Sequence, residues 1–82
     1  MIINSIVFKV KSQLATKVKG KVYISYDERN IYVNIENSPK DIWCTTIPVL
    51  YAKVSEQKLV SIIVKIITAQ YKEDILDKYF LN

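Results

Sequence analysis

KVYISYDERNIYVNIE, residues 21–36, is the stretch on which the architecture turns. Val22, Ile24 and Tyr26 alternate with Lys21, Tyr23 and Ser25; further on, Ile31, Val33 and Ile35 alternate with Tyr32, Asn34 and Glu36. A period of two is that of a half-buried strand, whose successive side chains point to opposite faces. Asp27, Glu28, Arg29 and Asn30 form the polar break between them. An Asn that tolerates a left-handed backbone suits a tight turn, so the stretch predicts a β-hairpin.

Toward the C-terminus, Asn37, Ser38 and Pro39 make a turn, and Asp41 to Val49 supplies Ile42, Trp43, Thr45, Thr46 and Ile47, all favourable in strands. Pro48 cannot donate to a ladder, which makes this piece an edge strand or ends it there. Ser55 can then cap a helix, Glu56 suits the positive end of its dipole, and Val54 and Leu59 are placed as a hydrophobic staple. A helix from about Glu56 follows. Its β-branched interior, Val60 to Ile67, leaves a strand conceivable over residues 59–68, but cap signals and length favour helix. Leu59, Ile63, Ile66 and Ile67 share a face whose continuation is polar at Gln70, Glu73, Asp74 and Asp77, whereas Tyr71, Ile75, Leu76, Tyr79 and Phe80 prefer another side. The pattern therefore predicts a bend or break near Tyr71 and a short second helix to about Phe80.

Toward the N-terminus, Ile6, Phe8 and Val10 nearly alternate with Lys9 and Lys11, which predicts a further strand that Val7 blurs. Gln13 to Gly20 reads as its connection to the hairpin. The expected fold is α+β: a small antiparallel β-meander of three to four strands covered by a C-terminal helix, in one domain over residues 1–82.

With 82 residues, half of them apolar and a quarter charged, the chain can build one core. More Ile, Val, Leu and Tyr are present than one small interior can take, so some are expected at an interface. Cys44 is the only cysteine, which excludes an internal disulfide framework and zinc sites needing several thiolates, and fits a reducing, cytoplasmic setting. Neither a signal peptide nor a membrane span is read: Lys9 and Lys11 interrupt the first apolar run, and Leu59–Ile67 is short and contains Lys65. Abundant Lys, Ile, Asn and Tyr with one Gly and a single Arg is the bias of AT-rich codons, pointing to a low-GC bacterium or a phage or other mobile element.

The chain has no histidine, the usual proton shuttle at neutral pH, and Gly20 alone cannot build a phosphate loop. Cys44 beside Trp43 reads as a small core hydrophobe. The neighbouring carboxylates Asp27 with Glu28, and Glu73 with Asp74, point apart and read as solvated charge. No catalytic, metal or cofactor residue is therefore expected. The uneven feature is charge: Lys9, Lys11, Lys17, Lys19 and Lys21 all precede the first acid, Asp27. On paired strands, Lys9, Lys11, Lys19 and Lys21 would gather on the outer sheet face with Tyr23 and Tyr32, a candidate binding surface. The bland alternative is a solubilising face that guards the sheet against aggregation.

The leading functional expectation is a non-enzymatic protein-binding module, a regulator or inhibitor with an acidic protein partner and the capacity to form a homodimer. The alternative is a nonspecific nucleic-acid-binding protein, with lysines neutralising phosphates and Tyr23 and Tyr32 stacking on bases.

Overall fold

The computed structural model describes residues 3–48 and 54–80, with side chains over residues 4–48 and 54–77. The order is helix α1 (Ile3–Ala15), strands β1 (Lys21–Tyr26), β2 (Asn30–Ser38) and β3 (Asp41–Pro48), and helix α2 (Glu56–Phe80). The strands form one antiparallel meander in the order β1-β2-β3. Both helices pack on the same face of it, the face carrying Val22, Ile31, Val33, Ile35 and Ile47. The expected α+β meander with a C-terminal helix is the fold observed.

The hairpin of residues 21–36 pairs Lys21 with Glu36, Val22 with Ile35, and so on to Tyr26 with Ile31. Its turn closes differently from the expectation: no described non-glycine residue has positive φ, Asn30 included. Instead Oδ1 of Asp27 accepts hydrogen bonds from the backbone N–H of Arg29 and Asn30, both at 2.8 Å, while Asp27 N–H donates to the Asn30 carbonyl at 3.0 Å. A side-chain oxygen thus does the work assigned to a left-handed residue. The second turn lies at Pro39 and Lys40, preceded by a register shift between Glu36 and Ser38. The third strand ends at Pro48, and the expected extension to Val49 lies outside the described residues.

The N-terminal segment is the main correction. Residues expected as a strand from Ile6 to Val10 lie in helix α1. Ile6, Val7, Val10 and Leu14 are all buried, a spacing of i, i+1, i+4 and i+8 that fits a helical stripe. Phe8, which the strand reading placed inward, is 71% exposed. A strand would have turned Val7 to water and left Leu14 without a core. The helix buries four apolar side chains, each worth roughly 1.5–3 kcal/mol, at the cost of exposing one.

Gly20 takes the chain from α1 into β1 in close contact with β2. A Cβ there would lie 2.7 Å from the Glu36 carbonyl oxygen and 2.8 Å from Cγ2 of Ile35, so only glycine fits.

Helix α2 begins as its cap predicts: Lys58 N–H donates to Ser55 Oγ at 3.2 Å, Leu59 N–H to the Ser55 carbonyl at 3.0 Å, and both Val54 and Leu59 pack into the core. Residues 59–68 are helical, and α2 runs unbroken to Phe80, so the break and the short second helix expected near Tyr71 do not form. Tyr71 resolves the apparent change of face. It is buried, continues the row of Val60, Val64 and Ile67, and donates its hydroxyl to Asn37 Oδ1 on β2. Past it Ile75 still packs against the core, while Glu73, Asp74 and Asp77 are exposed.

Candidate binding surfaces

Alternation gives the sheet a solvent face opposite the helices. Tyr23 and Tyr32 stand on it, 49% and 36% exposed, with Lys21, Asn34, Ile42, Cys44 and Thr46. Cys44 is exposed, which corrects its reading as a core hydrophobe: Val33 and Ile35 next door on β2 face inward, and the register sets Cys44 opposite Asn34 on the outside. Tyr32 is held at one end of this face, donating its hydroxyl to Asp27 Oδ2 at 2.5 Å. That bond, followed by those from the Arg29 and Asn30 N–H groups, holds the Asp27 carboxyl below its usual range. The same carboxylate raises the Tyr32 phenol.

The six residues expected to form one binding surface are divided. Lys21, Tyr23 and Tyr32 are on the outer sheet face, Lys19 is in the α1–β1 connection, and Lys9 and Lys11 are on α1, which packs against the other side of the sheet. Lys9 is also engaged, its Nζ 2.5 Å from Oε2 of Glu56 at the start of α2, and this ammonium is the main reason the Glu56 carboxyl lies below its ordinary value. The ammonium cluster drawn from strand alternation does not form because the segment carrying its first two members is a helix.

Two other features emerge only in three dimensions. The first is an apolar groove of about 210 Å³ between β3 and α2, with Thr46, Ile47 and Pro48 on one wall, Leu59, Ile62 and Ile66 on the other, and Gln70 at its polar end. Ile62 and Ile66 are each 40% exposed. Just past the groove, α2 is clasped to β3 by Thr45 Oγ1 donating to Gln70 Oε1 at 2.8 Å and Trp43 Nε1–H donating to Asp74 Oδ2 at 2.6 Å.

Beside this groove runs the outer edge of β3, with which no strand pairs among the described residues. The bond from Asp27 N–H to the Asn30 carbonyl fixes which residues of β2 bond toward β1, namely Asn30, Tyr32, Asn34 and Glu36. Ile31, Val33 and Ile35 then bond toward Ile47, Thr45 and Trp43, so the N–H groups of Ile42, Cys44 and Thr46 point out from the edge. Residues 42–48 contain no charge, the usual guard of a free strand.

The second feature is a basic flank on α2. Lys58, Lys65 and Lys72 are exposed and spaced by seven, a regular interval that the sequence itself carries.

Among the described residues no cluster of three His, Cys, Asp or Glu is placed to hold a metal ion, and no helix is long and apolar enough to cross a membrane. No protein-family model, no curated protein and no solved structure matches the chain.

Proposed function

We propose that this chain is a protein-binding module that takes an extended segment of a partner as an added strand on β3. The observation that carries this is the coincidence of an uncharged edge, with the N–H groups of Ile42, Cys44 and Thr46 outward, and an apolar groove alongside it. Main-chain hydrogen bonds at a sheet edge give affinity, and neighbouring pockets that accept alternate side chains give specificity. The partner segment that fits carries aliphatic residues at alternate positions. Acidic flanks would be steered by the formal charge of +4. A regulator or inhibitor role in the cytoplasm of a low-GC bacterium, encoded by a mobile element, is the accompanying proposal and is supported by composition.

Selection from a displayed library of extended peptides tests this. Thr46→Pro deletes one outward N–H without touching the ladder to β2, and Ile62→Glu places a charge in the groove. Selected peptides should lose affinity roughly tenfold with each variant. Peptides indifferent to both variants, or a chain whose edge is occupied by a second copy that Thr46→Pro releases to monomer, would refute the reading.

A further inference from the structure

We infer that the flank of α2 turned away from β3, together with the α1–β1 connection, is a binding face for the phosphate backbone of double-stranded nucleic acid. Seven residues of helix advance about 10 Å and return to within about 20° of the same direction. Lys58, Lys65 and Lys72 therefore form one row about 21 Å long on the helix surface.

Carboxylates are absent from that row. Of the acids on α2, Glu56 is taken by Lys9 and Asp74 accepts from Trp43, and Glu73 and Asp77 lie on the β3 side of the helix by its own periodicity. The helix is basic along one flank, and apolar then acidic along the other.

A second element converges on the row. Lys17, which follows the last turn of α1, lines one open groove with Val64, Lys65, Thr68, Ala69 and Lys72. It also lines the adjoining groove with Lys19. Five ammonium groups from two parts of the chain thus share one face, and among the described residues none of them is in an ion pair.

Thr68 and Ala69 are the residues between the lysines, short enough to let a polyanion lie close to the helix. No aromatic ring stands in the Lys65–Lys72 groove to stack an unpaired base, and no arginine is present to fork onto guanine. Such a face reads phosphate charge and not sequence. It differs in position from the N-terminal lysine and tyrosine sheet face expected from sequence, and it is independent of the β3 edge, so failure of either proposal leaves the other standing.

The test is fluorescence anisotropy of a labelled random-sequence DNA duplex of about 20 base pairs across a salt series. If all five lysines meet phosphates, log K should fall against log salt with a slope of about −4.5, a loss of about 500-fold between 50 and 200 mM. Lys65→Gln with Lys72→Gln should bring the slope toward about −2.7. Arg29→Gln with Lys40→Gln removes the same charge from elsewhere and should leave the slope nearly unchanged. Equal losses in the two double variants would reduce the effect to net charge and overturn the proposal. Absence of salt-dependent duplex binding would overturn it too, as would lysine-dependent retention on phosphatidylserine vesicles tighter than on duplex, which would assign the face to a lipid surface.

Discussion

Trp43 and Asp74, thirty-one residues apart, meet across 2.6 Å, the indole N–H of β3 donating to a carboxylate oxygen of α2. Trp43 also sets its ring edge-on to Tyr71, with centroids 5.3 Å apart and planes at 83°. Together with the Thr45–Gln70 bond, these contacts tie the edge strand to the helix that walls the groove. In a double-mutant cycle of Trp43→Phe and Asp74→Ala, followed by circular dichroism in denaturant, the coupling should be about 1 kcal/mol. A coupling near zero would mean that solvent serves the indole equally well.

Helix α1 predicts an inverted pattern of tolerance from that of a strand. Val7→Asp should unfold the chain or nearly so, since Val7 is buried. Phe8→Asp should cost less than about 0.5 kcal/mol, because Phe8 faces water. Leu14→Ala should cost roughly 2–5 kcal/mol through the cavity it leaves. Thermal unfolding of the three variants checks all of this, and a costly Phe8→Asp beside a mild Val7→Asp would restore the strand.

Gly20 is required by space. Gly20→Ala pushes a methyl group against the backbone carbonyl of Glu36, which the β1–β2 ladder holds in place. A loss of roughly 1–3 kcal/mol is expected in chemical denaturation. Unchanged stability would show that the α1–β1 connection can swing away from β2.

The hairpin turn should respond to acid. The Asp27 carboxyl is held below its unfolded value, first by the Tyr32 hydroxyl and then by the Arg29 and Asn30 N–H groups. A group whose folded pKa is depressed contributes stability that is fully present above the unfolded pKa and is lost as pH falls through the folded one. The stability of the wild type relative to Asp27→Asn should therefore shrink between about pH 5 and pH 2. Denaturation curves at several pH values measure it; a constant difference across that range would contradict the assignment. Glu56 behaves with the same sign through Lys9, and its part should fade with added salt because the pair is exposed.

The hairpin of residues 21–36, the third strand and the capped start of α2 were all legible in the chain, because each is decided by neighbours in sequence: alternation, turn chemistry and a Ser at the cap. Five residues from Ile6 to Val10 are too few to separate a period of two from one of 3.6, and Leu14, the residue that separates them, lies in the polar stretch Gln13 to Gly20 that reads as a connection. The change of face at Tyr71, which the pattern reads as a bend or break, arises because the helix outlasts most of its core.

What the sequence determined by itself was the inventory of local pieces: a meander, a capped helix beginning near Glu56, and a chain poor in the usual catalytic groups. Where those pieces point their side chains was settled only when helix α1 took the inner face of the sheet. That packing moved Lys9 and Lys11 away from Tyr23 and Tyr32, left the β3 edge beside Ile62 and Ile66 without a partner strand among the described residues, and brought Lys17 to the lysine row of α2. The physical reason is that burial of Ile6, Val7, Val10 and Leu14 is a cooperative property of the whole core, and surfaces are what remains once that burial has been satisfied.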